Sequence, residues 1–110
     1  WRTHPGQTAR QASVNRIDIA GVIEERGALR HTPAGLPALD LRLCHESEQP
    51  EAGQLRKVSL TLKAVAIGQV AQRLDRQAAG AQARFTGFLA SPRQSRQVVF
   101  HIQDFQQDSF

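Results

Sequence analysis

The cations in the second half of the chain are the residues whose types and spacing could do chemistry, because together they could hold a polyanion. Two stretches, 54–74 and 76–103, each contain four basic residues and no acidic residue. Cations without intervening carboxylates are typical of surfaces that contact nucleic-acid phosphates. An ordinary solvated strand face remains the alternative on charge alone. The basic residues are Arg56, Lys57, Lys63, Arg73, Arg76, Arg84, Arg93 and Arg96.

The residue pattern gives little support to catalysis. There is no Gly-rich phosphate loop, and the four histidines are too far apart in sequence to form an i, i+4 metal-binding pair. Cys44 is the only cysteine, which excludes an internal disulfide and a zinc site built on cysteines. Cys44 and His45 would point to opposite faces of a strand, so we expect a buried structural cysteine rather than a nucleophile pair. The sequence predicts a non-enzymatic protein without metal or cofactor.

Length and composition indicate one domain. The chain has 110 residues, with 14 Lys and Arg against 10 Asp and Glu, which gives a formal net charge of +4. This mild basicity permits a nucleic-acid partner without requiring one. No apolar run approaches the roughly 20 residues that span a bilayer, and no signal-peptide pattern is present. We therefore expect a cytoplasmic protein with no membrane partner.

The first 13 residues differ from the rest of the chain. They are polar, include Pro5 and Gly6, and show neither helix nor strand periodicity. Such segments bury too little apolar surface to fold. We predict a disordered N-terminal tail over 1–13, which contains the only tryptophan, Trp1, followed by one folded domain over 14–107.

Hydrophobic periodicity divides the predicted domain into five strands and one helix. In 39–44 and 57–63 the apolar residues alternate with polar ones, as in half-buried strands. The period lengthens over 64–74, which predicts a short helix. Polar residues 46–53, with three glutamates, a proline and a glycine, predict a loop. The predicted strands are 14–25, 39–44, 57–63, 81–90 and 97–105.

Gly87 interrupts the apolar fourth strand. A glycine inside a strand marks a bend in a small barrel or the close approach of another backbone. Together with the order β-β-β-α-β-β, this predicts an all-β OB-fold, a five-stranded small barrel with one short helix between strands three and four. OB-folds bind single-stranded nucleic acid or oligosaccharide on the face of strands two and three and on neighbouring loops.

The predicted barrel assigns positions to the cations. Three lie on the polar face of the second and third strands, interleaved with Ser59 and Thr61. Two more lie in the loop between the fourth and fifth strands, which contains no acid. We predict phosphate contacts from these five residues: Arg42, Lys57, Lys63, Arg93 and Arg96.

Phe88 is the aromatic residue most available for stacking. Phe85 and Phe100 fall in phase with the predicted core, whereas Phe88 is out of phase and is expected at the surface. There it could stack on a base or pack, for example at a subunit contact. Aromatic residues are only 5% of the chain. Binding to DNA would therefore depend mainly on phosphate contacts and would weaken steeply with salt.

Five short motifs, in a fixed order, resemble a known family. With the same strand order, they are similar to the primosomal replication protein N (PriB) family, a paralogue of the bacterial single-stranded DNA-binding protein. The resemblance spans about 14–107. The motifs are Asn15-Arg16-Ile17, Pro33-Ala34-Gly35-Leu36-Pro37, Leu43-Cys44-His45-Glu46-Ser47, Glu51-Ala52-Gly53-Gln54 and Gly87-Phe88-Leu89-Ala90.

The resemblance implies a homodimeric, non-catalytic OB-fold that binds single-stranded DNA. It implies an accessory role for the PriA helicase, which reloads the replication machinery at stalled forks, in some bacteria together with DnaT. Arg93 and Arg96 match basic positions of the family's loop between strands four and five. A strand-three aromatic that contributes to stacking in some members falls at Ser59 here, so that contact is absent.

Two other functions are compatible with the same fold. The first is an OB-fold interaction module whose main ligand is a protein and whose DNA binding is vestigial, which the missing strand-three aromatic would favour. The second is an RNA-binding OB-domain, which would bind matched RNA and DNA oligomers equally well.

Overall fold

Five long strands close into a barrel in the computed structural model, which describes residues 13–107. Numbered along the chain, the strands are β1 (Ile17–Arg26), the two-residue β2 (Arg30–His31), β3 (Pro37–Glu51), β4 (Gln54–Ile67), β5 (Gln82–Ala90) and β6 (Val99–Gln107). The sheet order is β1-β5-β6-β4-β3-β2, and a second pairing of β1 with β3 closes the barrel. This confirms the predicted order and the single short helix. The tail predicted over 1–13 lies outside the described residues apart from Ser13. The helix, α1 (Gln69–Leu74), lies between β4 and β5.

β3 and β4 form one long hairpin instead of two short strands joined by a polar loop. Their antiparallel pairing runs unbroken from Ala38 opposite Ile67 to Glu51 opposite Gln54. The turn residues Ala52 and Gly53 have φ of 53° and 81°, as a tight two-residue hairpin turn requires. The loop predicted over 46–53 is wrong because the distal hairpin is largely exposed on both faces, so its polar composition gives no strand alternation.

The helix is shorter than the predicted 64–74. β4 continues to Ile67, and Gly68, with φ of 97°, separates it from α1. Ala64 and Ala66 face the core and are almost fully buried, so small side chains on the inner face of a strand gave a helix-like period. No helix within residues 13–107 is long and apolar enough to cross a membrane.

The core lies inside the barrel and is closed at one end by α1. Phe85 and Phe100, both predicted as core residues, are fully buried. Leu74 of α1 is also fully buried and belongs to the same apolar cluster. Burial of these side chains contributes about 1.5–3 kcal/mol each, so the barrel is held mainly by its apolar interior.

Gly87 lies directly against the backbone of β6. A Cβ at this position would lie 1.8 Å from the carbonyl oxygen of His101 on β6. The β5–β6 register also shifts between Thr86 and Gly87, where β6 contributes an extra residue. The prediction of a bend or a close backbone approach at Gly87 is therefore confirmed, and no larger residue fits without moving β6.

We predict that Gly87→Ala destabilises the domain by about 2–4 kcal/mol, because its methyl group would overlap a backbone carbonyl. Urea unfolding followed by circular dichroism measures the change. Gly27→Ala is the matched control, since a Cβ there would meet the Asp40 carbonyl oxygen at an ordinary 3.5 Å. Equal destabilisation by both substitutions would contradict the steric argument.

Candidate nucleic-acid interface

The register of the β3–β4 hairpin places three predicted cations on the outer face of the barrel. Arg42 lies opposite Lys63, and Glu48 lies opposite Lys57. Opposed residues share a face, as do alternate residues along a strand. Arg42, Lys57 and Lys63 therefore point outward together, and all three are exposed.

Carboxylates occupy the same outer face. Glu46 lies opposite Ser59 and Glu48 opposite Lys57, within β3 rather than in a separate acidic loop. The separation of charge suggested by the sequence is therefore absent from this part of the hairpin. These carboxylates repel a polyanion. We therefore expect attraction only at cations whose charged groups lie away from them.

Arg42 is held by acidic side chains of β1. Its guanidinium donates a hydrogen bond to Glu25 and lies 3.9 Å from Glu24. Lys57 and Lys63, in contrast, form no ion pair with any residue between 13 and 107. The two lysines can contact phosphates directly, whereas Arg42 must first break its ion pair with Glu25.

The loop between β5 and β6 presents the other two predicted cations. Arg93 and Arg96 are exposed and form no ion pair within the described part of the chain. The Ser95 amide donates to the Pro92 carbonyl at 3.0 Å, and Gln94 has φ of 61°. This local turn supports the loop from within.

The loop lies next to the cationic part of β4. β6 runs parallel to β4 with Phe100 opposite Ala64, so the end of the loop falls beside the residues that precede Ala64. One of these is Lys63. The topology therefore brings Lys63, Arg93 and Arg96 to one side of the barrel, although they are up to 33 positions apart in sequence.

Phe88 lies on the outer face, as its phase predicted, and is half-buried. Its ring stacks on His101 of β6, with ring centroids 4.9 Å apart and an interplanar angle of 9°. The side chain of Asn15 fixes the next residue, since it both donates to and accepts from the backbone of Leu89, at 2.8 and 2.9 Å. No pattern in the sequence indicated His101 as the partner of Phe88.

Cys44 and His45 do point to opposite faces. Cys44 is half-buried rather than buried, and its thiol donates to Glu24 at 3.0 Å. This hydrogen bond raises the pKa of Cys44 and disfavours the reactive thiolate. The ring nitrogens of His45 lie 2.7 Å from the Ala20 carbonyl oxygen and 2.8 Å from Ser47 Oγ. The pair therefore ties β3 to β1 and does not form a nucleophile–base couple.

Comparison with known proteins identifies the family. Residues 15–104 match the family described as another single-strand binding protein family. The replication restart protein PriB of Bordetella pertussis is 47% identical over 91 residues, which cover 82% of this chain and 85% of that protein. The chain belongs to the PriB family. The replication restart protein PriB of Nitrosomonas europaea is 37% identical over 97 residues, covering 86% and 90% of the two chains.

Solved structures agree with the PriB assignment and with the predicted OB-fold. PriB from Ralstonia solanacearum superimposes with a TM-score of 0.82 at 33% identity, over 88% of this chain and all of that one. The single-stranded DNA binding protein from Thermus aquaticus superimposes with a TM-score of 0.70 over 87% of this chain and 50% of that one. At 22% identity, this second likeness concerns the fold alone.

Proposed function

We propose that this chain is a non-catalytic protein that binds single-stranded DNA and assists the PriA helicase during replication restart, in the cytoplasm where the chromosome lies. The observation that carries the proposal is the convergence of Lys63 with the basic loop on a barrel of the PriB family. Cations that have no carboxylate partner attract phosphates at no cost in broken ion pairs.

The DNA path in this proposal runs over the outer face of β4 and under the loop. Phosphates contact Lys57, Lys63, Arg93 and Arg96, and Arg42 joins them when it leaves Glu25. Ser59 and Thr61 lie between the lysines and offer hydroxyl groups to the same strand of DNA. Because the face also carries carboxylates, affinity at physiological salt is modest and depends strongly on the loop.

A homodimer is supported by the unpaired edge of β1. β1 pairs with β5 along Ile17–Val22 and with β3 only from Val22 onward. Within residues 13–107, no strand therefore pairs with the second edge of β1 before Val22. An open edge of this kind pairs readily with another strand, and a second copy of the same strand closes it symmetrically.

A protein-binding role without strong DNA binding is the second candidate. The carboxylates among the cations and the serine at position 59 favour it, because both weaken contact with a DNA strand. The PriA helicase is the partner in that case as well, with DnaT as a further one. The two candidates differ in whether partner binding needs DNA.

Fluorescence anisotropy of labelled oligo-dT at several salt concentrations tests DNA binding, with a duplex of equal length as the control. We expect preference for the single strand and a negative salt slope. Changing both Arg93 and Arg96 to alanine should flatten that slope by about 1.4, since each phosphate contact on a single strand contributes about 0.7.

A double variant that changes Arg26 and Arg76 to alanine is the matched control for the loop variant. It removes the same charge near the C-terminal end of α1, where Arg26 pairs with Asp75. The slope should stay at the wild-type value. An equal change in both double variants would mean that net charge, and not the loop, sets the affinity.

We also predict that Glu25→Gln raises the affinity for oligo-dT by up to about fivefold, because it releases Arg42 from an exposed ion pair worth about 0.2–1 kcal/mol. Asp75→Asn makes the same change in net charge and releases Arg26 instead. Anisotropy titrations of the two variants separate a local effect from a general one. No gain with Glu25→Gln would contradict the proposal that Glu25 keeps Arg42 from DNA.

Sedimentation velocity tests the assembly proposals. Alone, at micromolar concentration, the protein should sediment with the mass of two chains, since the open edge of β1 is then paired. Mixed with PriA helicase, it should co-sediment, and the dependence of this on added oligo-dT distinguishes the two candidate functions. A monomer would contradict pairing through β1.

A further inference from the structure

An apolar groove crosses the outer face beside the Phe88–His101 stack. It has a volume of about 320 Å³ and opens to solvent. Ile67, on its rim, is 43% exposed, although it belongs to a strand whose neighbours Val65 and Ala66 are buried. The proposed phosphate contacts do not use this surface, and of its lining residues Val65 and Val70 are buried and belong to the core. The groove is lined mainly by Val65, Ile67, Val70, Phe88, His101 and Gln103.

The walls of the groove are held in place before any ligand arrives. Val65 lies opposite His101 in the parallel β4–β6 pairing, and His101 lies opposite Phe88 in the β5–β6 pairing. The Asn15 side chain fixes the backbone at Leu89, and Gly87 admits β6 at short range. A ring that enters the groove therefore meets an aromatic pair that is already in place and needs no reorganisation.

The electrostatics of the groove do not repel an anion. None of its lining residues is acidic. The carboxylates on its borders are neutralised, since Arg30 donates to Asp40 at 2.9 Å and Arg73 donates to Asp104 at 2.8 Å. These hydrogen bonds lower the pKa of both aspartates, so the ion pairs persist at neutral pH.

Cations that form no ion pair with any residue from 13 to 107 flank the groove. Lys63 lies two residues before Val65 on the same face of β4. Arg16 falls opposite Phe88, because the next residue, Ile17, pairs with Gly87. The basic loop begins directly after the end of β5 at Ala90. An apolar slot between cations fits the alternation of base and phosphate in a nucleic acid, whereas an apolar peptide side chain would leave the cations unused.

We propose that this groove receives a nucleobase of the bound single strand, which extends the Phe88–His101 stack by one ring. The side-chain amide of Gln103, exposed at the rim, can hydrogen-bond to the edge of the base. This inference rests on the proposed function, since it requires bound single-stranded DNA. It supplies the stacking group that Ser59 does not provide on β4.

The test compares oligo-dT with an abasic oligonucleotide of the same length, which has the same phosphates and no bases. Wild-type protein should bind oligo-dT more tightly. Phe88→Leu, which keeps an apolar side chain, should weaken oligo-dT binding at least about fivefold, in line with the loss of one stacked base. It should leave both the abasic affinity and the salt slope unchanged.

Leu55→Ala is the matched control, because it truncates an exposed apolar residue at the far end of the hairpin. We expect it to leave both affinities unchanged. Thermal melting of each variant identifies any loss of folding. Wild-type protein crosslinked to a bromodeoxyuridine oligonucleotide gives a readout without mutation, with attachment expected on tryptic peptides 85–93 and 97–110.

The possible outcomes distinguish failure of the groove proposal from failure of the proposed function. If wild-type protein binds oligo-dT and the abasic chain equally, or crosslinks only outside these two peptides and peptide 64–73, which also lines the groove, the groove holds no base although DNA binding stands. If Phe88→Leu weakens both oligonucleotides equally, the residue acts through the fold, and the inference is overturned. If wild-type protein binds neither oligonucleotide, the proposed function fails and the groove proposal fails with it.

Discussion

The close approach of β5 and β6 at Gly87 is the constraint on which the rest of the structure depends. Without a side chain at this position, the β6 backbone packs directly against β5, and Phe85 of β5 and Phe100 of β6 are both fully buried. The same approach sets Phe88 against His101 on the outside. One glycine thus determines both how tightly the barrel closes and how its outer aromatic pair is arranged, so core packing and surface recognition cannot vary independently here.

The outer face combines two kinds of interaction that respond differently to solution conditions. Cations of β4 and of the loop act through Coulomb attraction, which weakens as salt rises. The groove beside Phe88 is apolar, so the base contact proposed there does not depend on Coulomb attraction. The carboxylates of β1 and β3 limit the first kind, since Glu25 occupies Arg42 and Glu48 lies opposite Lys57. On the proposed DNA path, the groove would distinguish single strands from duplex by their accessible bases, which the cations alone cannot do.

The sequence predicted most of the barrel because strand alternation follows from burial on one side. Leu39, Leu41 and Leu43 face the core, so apolar residues alternate with polar ones along β3 and predict a strand. The distal hairpin is exposed on both sides, and α1 follows a strand segment with alternating alanines, so both were misplaced. The candidate site was predicted only as a set of cations. The carboxylates that weaken the site, above all Glu25 bound to Arg42, come from a neighbouring strand. The residue pattern of a single strand does not show which strand will lie beside it.

Position 59 connects these observations. A serine on β4 removes a stacking surface from the middle of the face that OB-folds commonly use, and neighbouring carboxylates weaken phosphate binding there. The strongest remaining combination of free cation and aromatic surface lies further along β4, where Lys63, the basic loop and the Phe88–His101 stack meet. Single-strand binding needs both a cation for the phosphate and a surface for the base. The proposed centre of DNA recognition therefore lies at the β4–β6 pairing and not on the distal hairpin, and in that proposal the exposed hairpin stays available to a protein partner.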